Sequence, residues 1–350
     1  MSQDHVNSSK QPIVVHAHPP VAEGCLLGCF GFLAKIVLAF VVLAIFVGTI
    51  AHFSGSGLEK SVVEKHFDGS ETSKNKIVII SLSGLIVGDH EGSFLKQLKA
   101  AEEDPQVKAV VLRINSPGGT ITGSDFYHHK VQQFKERKGV PIVTSMGDMA
   151  ASGGYYLAVT GQEIFAERTT ITGSIGVIAG LYDLSELCEK IGVRSNSITS
   201  GPFKSMGDPT RKMTDEERAL FQKMVDEMFA RFKEVVREGR PIFQQNPEKL
   251  DALATGQIYS ASEAVENDLI DKIGFLEDAA HRAAELANLS KGDYRVVRYS
   301  SPRTMMDILF DNRAKQPEIS SLLSPKLVND LTTPKLYYVL PRALPLVNPE

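Results

Sequence analysis

Three short apolar runs, separated by longer amphipathic stretches, constrain the fold of this chain more than any other feature. Residues 77–82, 107–114 and 142–146 are mostly apolar, with Ile, Val and Leu prominent and few polar residues among them. Runs this short without strict alternation suit strands buried on both faces, the situation of parallel strands covered by helices. The stretches between them, 93–103 and 123–138, read as helices, so the alternation predicts an α/β fold with a parallel sheet. Farther along, 163–165 and 175–178 read as short strands and 184–191 as a helix. Thr214-Asp215-Glu216-Glu217 has the form of a capping box ahead of a long amphipathic helix over 214–238, and Gly239 stops that helix.

Two of the apolar runs end in small residues that can carry chemistry. Run 142–146 leads to Met149-Ala150-Ala151-Ser152-Gly153-Gly154-Tyr155-Tyr156. A strand, a tight turn at Ser152 and then a helix would expose one hydroxyl at the sheet edge, with the positive helix end behind it. The arrangement has the geometry of a nucleophile elbow, although the residues do not match G-x-S-x-G. An ordinary turn or helix cap uses the same residues. Run 107–114 leads to Asn115-Ser116-Pro117-Gly118-Gly119-Thr120. Paired glycines let a backbone approach a ligand and present N–H groups to the oxyanion of an acyl transfer, whereas a Pro-Gly turn is the bland alternative. A third segment, Gly201-Pro202-Phe203-Lys204-Ser205-Met206-Gly207, sets Lys204 among small and apolar residues. A lysine kept from water loses its proton more readily and can serve as a general base, but on an open loop it stays solvated.

Together these segments resemble the signal peptide peptidase A family of membrane-anchored Ser-Lys serine peptidases, in its short single-copy form. The likeness covers about residues 76–274, with Ser-Pro-Gly-Gly at 116–119, Ala-Ser-Gly-Gly-Tyr at 151–155, Thr172-Gly173-Ser174-Ile175-Gly176-Val177 and the Lys204 loop in the family's order. The resemblance implies a Clp peptidase/crotonase-like repeated β-β-α fold, preceded by one transmembrane helix. Thr255-Gly256-Gln257-Ile258-Tyr259 and the stretch from Asp268 to Gly274 fit that wider superfamily. It implies Ser152 as nucleophile, Lys204 as general base, Ser174 as the hydroxyl orienting the lysine, and the N–H groups of Gly119 and Ser152 as the oxyanion hole. Hydrophobic peptide substrates such as cleaved signal peptides are implied too, as is a homo-oligomeric ring whose dyads can draw serine and lysine from neighbouring subunits. Two other readings compete: a crotonase-type acyl-CoA enzyme, which needs neither the Ser-Lys pair nor an anchor, and a catalytically inactive membrane scaffold or adaptor.

A serine hydroxyl needs a base within hydrogen-bond reach, and lysine is an accepted alternative to histidine. The rival bases are His128 and His129. Adjacent helical residues point about 100° apart, so at most one of them can face a site. No His, Cys, Asp and Glu grouping has metal-ligand spacing, so neither a metal nor a cofactor is expected. The net charge of −4 and the absence of a basic stripe argue against nucleic acid as a partner. Cys188 alone lies downstream of the first apolar segment, on a periodic apolar pattern that suggests packing.

The chain is expected to begin with a disordered cytoplasmic tail over 1–24 and a lipid-bilayer anchor over 25–53. Its core run, 36–50, reaches the ~20 residues of a membrane span once 31–34 are included and Lys35 snorkels to the interface. A charged linker over 54–75, a peptidase domain over 76–300 and an extension over 301–350 would follow. Lysines on both sides of the span, Lys10 and Lys35 against Lys60 and Lys65, leave the orientation to the resemblance, which puts the catalytic domain on the extracytoplasmic side of the cell membrane. The extension is read as a disordered tail or a subunit-docking segment, or else its apolar island 336–340 visits the substrate groove as an extended strand.

Overall fold

The computed structural model describes residues 35, 37–42, 44, 45, 62–300 and 335–339. The expected N-terminal tail and most of the expected anchor and C-terminal extension lie outside the described residues. Among the described residues no helix is long and apolar enough to cross a membrane. The chain divides into two compact units between Glu59 and Lys60, and every strand belongs to the second.

From residue 63 the order is β1 (Val63–Gly69), β2 (Asn75–Ser83), α1 (Ser93–Glu103), β3 (Val107–Ser116), β4 (Gly118–Thr120), α2 (Ile121–Lys138), β5 (Ile142–Ala151), α3 (Gly153–Ala158), β6 (Glu163–Ala166), β7 (Ile171–Gly173) and β8 (Ile178–Gly180). There follow α4 (Ser185–Lys190), α5 (Asp215–Gly239), α6 (Ile242–Gln245), α7 (Pro247–Leu253), β9 (Ile258–Ser260), α8 (Ala261–Glu266), β10 (Lys272–Ile273), α9 (Leu276–Leu286), β11 (Tyr294–Ser300) and β12 (Lys335–Val339). The large sheet runs β1-β11-β2-β3-β5-β6-β10, with β7 and β9 carried beyond β5. From β11 to β10 the neighbours are parallel, while β1 and β9 are antiparallel to theirs. This mixed α/β fold with a mostly parallel sheet is the class that the alternating runs predict.

The apolar runs lack alternation because both sheet faces are covered. On one face Val78 and Ile80 of β2, with Val110, Leu112 and Ile114 of β3, pack with Phe94 and Leu98 of α1 and Tyr127, Val131 and Phe134 of α2. On the other face Ile77, Ile79, Ala109 and Val111 meet Ala279, Ala280, Ala283 and Ala284 of α9, whose small side chains let the helix lie close to the sheet. Each fully buried Ile or Val contributes about 1.5–3 kcal/mol, so the central strands form a rigid platform for whatever their C-terminal ends present.

Several boundaries depart from the sequence reading. Residues 63–69, placed in the linker, form the edge strand β1 on β11. Its charged sequence suits an edge, where main-chain pairing supplies the stability and Glu64 receives the buried Lys76 ammonium at 2.7 Å. Residues 175–178 are not one strand, because the chain leaves β7 at Gly173 and resumes extended pairing only at Ile178. The capping box is complete: Thr214 Oγ1 accepts from the Glu217 N–H at 3.2 Å, and the Glu217 carboxylate accepts from the Thr214 N–H at 3.1 Å. A second sheet has the order β4-β12-β8, with β12 antiparallel to both neighbours.

Candidate active site

β5 outruns the main sheet. Its residues 143–146 pair with β6, but Met149, Ala150 and Ala151 pair in parallel with Ile171, Thr172 and Gly173 of β7. One residue beyond the Ala151–Gly173 pair stand two serines, Ser152 and Ser174, both with positive φ (54° and 50°). Parallel strands lie about 4.8 Å apart, so the end of a single ladder brings the two residues to neighbouring positions. Ser152 has ψ −116°, a conformation costing roughly 1–3 kcal/mol for a residue with a Cβ. Its N–H donates to the Gly173 carbonyl at 2.8 Å, and the Ser174 N–H donates to the Gln257 carbonyl at 2.7 Å.

What holds the turn is the packing of α3. Tyr155 and Tyr156 are fully buried; their hydroxyls donate to the Leu269 carbonyl at 2.8 Å and to Asp125 at 2.6 Å. Gly154 is required by proximity, since a Cβ there would lie 2.8 Å from the Ser116 carbonyl oxygen. The helix carrying Ser152 is thereby pressed onto the end of β3. Among the described residues the Ser152 hydroxyl makes no hydrogen bond, although the residue is only 1% exposed.

The two expected oxyanion donors, the N–H groups of Gly119 and Ser152, sit in different surroundings. At Gly119 the chain approaches Ile86 so closely that a Cβ would lie 1.9 Å from the Ile86 carbonyl oxygen. The flanking groups bond Ile86: Gly118 C=O accepts from the Ile86 N–H at 2.9 Å and Thr120 N–H donates to the Ile86 C=O at 2.8 Å. Alternation along the strand turns the Gly119 N–H to the opposite edge. The Ser152 N–H, by contrast, donates to the Gly173 carbonyl. The next group, the Gly153 N–H, is the first of α3 and has no intrahelical acceptor. It makes no backbone hydrogen bond outside α3 among the described residues.

Ser152 and Ser174 line one cavity of about 390 Å³, together with residues 175–178, Gln222, Val225, Asp226 and Phe229 of α5 and residues 254–256. The α5 residues follow the i, i+3, i+4, i+7 spacing of one helical face, so this wall was legible in the sequence but went unassigned. A space of this size can take an extended-peptide side chain or two. A neighbouring hollow shares Val177, Ile178, Gln222 and Val225 and continues to Gly207 and Asp208.

Lys204 is not among the residues that line either space. It stands exposed on the turn 201–207, and it forms no hydrogen bond or ion pair with Ser152 or Ser174 among the described residues. Arg211 ties that turn to α5 by donating to the Ser205 carbonyl at 2.7 Å while pairing with the buried Glu217. Hydrogen bonding from Arg211 holds the Glu217 carboxyl below its ordinary pKa. Of the rival bases, His128 is buried edge-on to Tyr156, with ring centroids 5.2 Å apart, and desolvation pushes its pKa down to about 4. Neither His128 nor His129 lines the Ser152 cavity.

The family profile described as Peptidase family S49 matches residues 134–290, and the one described as Clp protease matches 69–178. A protein named signal peptide peptidase SppA from Enterococcus faecium is 37% identical over 243 residues, 66% of this chain and 69% of its own length. A Synechocystis protease is 35% identical over 235 residues, covering 67% of this chain and 83% of its own. Protease 4 of Salmonella typhi is 32% identical over 274 residues, 77% of this chain but 41% of its own length. With the elbow serine on a Clp-like sheet and two of these relatives matched over more than two thirds of their length, the chain belongs to the signal peptide peptidase A group of the S49 family, a family of serine peptidases.

Proposed function

We propose that this chain is a membrane-anchored endopeptidase that cleaves hydrophobic peptides, among them cleaved signal peptides, through an acyl-enzyme on Ser152. The observation that carries the reading is the strained Ser152 turn, whose hydroxyl makes no hydrogen bond among the described residues and lines a cavity with Ser174. Lys204 takes the Ser152 proton as Oγ attacks the peptide carbonyl. The Gly119 and Gly153 N–H groups receive the negative oxygen, a contribution of about 10²–10³ in rate per donor. Lys204 then returns the proton to the leaving amine and activates the water that hydrolyses the ester, while the Ser174 hydroxyl orients the amine.

Because Lys204 lies outside the Ser152 cavity of its own chain, the base comes from a second copy in a homo-oligomeric ring. Exposed apolar residues around the turn support self-association: Leu187, Ile191, Val193, Ile198 and Phe203 are each about half exposed or more. The expected span over 25–53 would hold the ring on the extracytoplasmic face, where apolar peptides concentrate. The competing scaffold reading draws on the same separation of Ser152 from Lys204.

The test uses the full chain in detergent with a quenched fluorescent apolar peptide. Ser152→Ala and Lys204→Ala are each expected to abolish cleavage, and co-assembly of the two inactive variants is expected to restore part of it. Restoration would assign the dyad to two subunits. No turnover and no labelling of Ser152 by a serine-directed phosphonate in the parent would favour the scaffold.

A further inference from the structure

β5 reaches Ser152 only after a break in its pairing with β3. Ile114 stands opposite Met146 and Ser116 opposite Ala150, so β5 advances four residues while β3 advances two. Such a bulge bends its strand and re-aims the side chains that follow. Here it lies between the stretch paired with β6, which ends at Met146, and the stretch paired with β7, which starts at Met149. Backbone groups in a bulge lose ladder partners and must find others. The Met146 carbonyl accepts from Arg113 at 2.9 Å, and the Gly147 carbonyl accepts from the Thr170 hydroxyl at 2.6 Å. The Met149 N–H donates to Asn115 Oδ1 at 3.2 Å, and Asn115 Nδ2 donates to the Asp148 carboxylate at 3.1 Å. The bulge is packed down on this side chain, since a Cβ at Gly147 would lie 3.2 Å from the Asn115 Cβ.

We propose that Asn115 is a positioning residue for the reaction: its amide spans the bulge and fixes where Ser152 stands relative to the Gly119 strand. The inference rests on the peptidase reading. Asn115 touches both halves of the frame around the site. Its side chain holds the bulge three residues before Ser152, and its own carbonyl accepts from the Gly84 N–H at 3.0 Å. That bond begins the 84–86 segment, whose Ile86 makes the two hydrogen bonds flanking Gly119. One residue on, Ser116 pairs with Ala150, and its Oγ accepts from the Gly118 N–H at 3.1 Å. The nucleophile and the N–H assigned to the oxyanion are thus registered against each other through two consecutive residues. The position calls for a short amide, because one end must accept from an N–H and the other must donate to a carboxylate. Aspartate would face Asp148 with like charge. Alanine would leave the Met149 N–H without its partner and free the bulge to settle elsewhere.

The experiment uses the full chain in detergent. Cleavage of the quenched peptide gives kcat and KM, and the rate of phosphonate labelling reports on Ser152 alone. Asn115→Ala is expected to lower kcat and the labelling rate together by about 10–10²-fold, the loss that accompanies a misplacement of about 1 Å, with KM unchanged. Asn115→Asp is expected to lower both as well. Adding Asp148→Asn to it puts the amide on the other side of the bond, and the double variant is expected to regain most of the lost kcat. A residue that merely stabilised the fold would change the melting temperature without this split between kcat and KM, and the swap would not restore the labelling rate. Asn115→Ala at the parent kcat, or a double variant no faster than Asn115→Asp, would overturn the proposal. If Asn115→Ala fails to fold, the swap decides alone. A parent chain that neither turns over nor reacts with the phosphonate refutes the peptidase reading itself, whereas a reactive parent with unaffected variants refutes only the assignment of Asn115.

Discussion

Ser152→Gly, compared with Ser152→Ala, tests whether the nucleophile turn stores strain. Both changes remove the hydroxyl, and neither breaks a hydrogen bond of that group among the described residues. Alanine keeps the Cβ and with it the cost of φ 54°, ψ −116°, about 1–3 kcal/mol. Glycine adopts that conformation freely but loses about 0.4–1 kcal/mol through the greater freedom of its unfolded chain. The difference leaves Ser152→Gly more stable than Ser152→Ala by about 1 kcal/mol. For a domain of this size that is about 2–4 °C in Tm. Matched thermal scans of both full-length variants at one protein concentration, supported by urea titration, would measure it. At an unstrained position inside a helix or strand the order would be reversed, with glycine the less stable. A Ser152→Gly protein melting at or below Ser152→Ala would refute the strained elbow, and with it the geometric basis for singling out this serine.

His128 should make the fold acid-sensitive. Its pKa is about 4 in the folded chain against 6.5 for the free side chain, lowered by burial, so the unfolded chain binds more protons between those values. Its contribution is fully present above pH 6.5 and is lost as pH falls toward 4, a change of about 3 kcal/mol. Denaturant titrations of His128→Leu between pH 4 and 7 are expected to show a flatter dependence; an equal slope in both proteins would remove His128 as the cause. Arg211→Ala leaves Glu217 buried without its cation and frees the 201–207 turn. Partial exposure of Arg211 reduces the cost from that of a fully buried pair to about 2 kcal/mol. Peptide cleavage should fall more than stability alone explains. Activity at the parent level in the folded variant would show that tethering of the turn is immaterial.

Residues 77–82, 107–114 and 142–146 were legible as strands because side chains buried on both sheet faces must be apolar at consecutive positions. The Thr214 capping box was legible because every partner lies within one helical turn. Ser152, Ser174 and Gly119 could be picked out because turns and close approaches demand small residues, and the order of the motifs carried the family. Other features depend on segments that meet only after folding. The edge strand at 63–69 reads as linker until β11, more than two hundred residues away, supplies its hydrogen bonds. The commitment of the Ser152 N–H to Gly173 follows from the register of β5 on β7, which no local pattern encodes. The sequence marks 336–340 only as an apolar island, and the pairing of β12 with β4 and β8 exists only in the folded chain. Local chemistry is written in residue type and spacing, whereas the identity of a hydrogen-bond partner is a property of two distant segments and exists only once the sheet has formed.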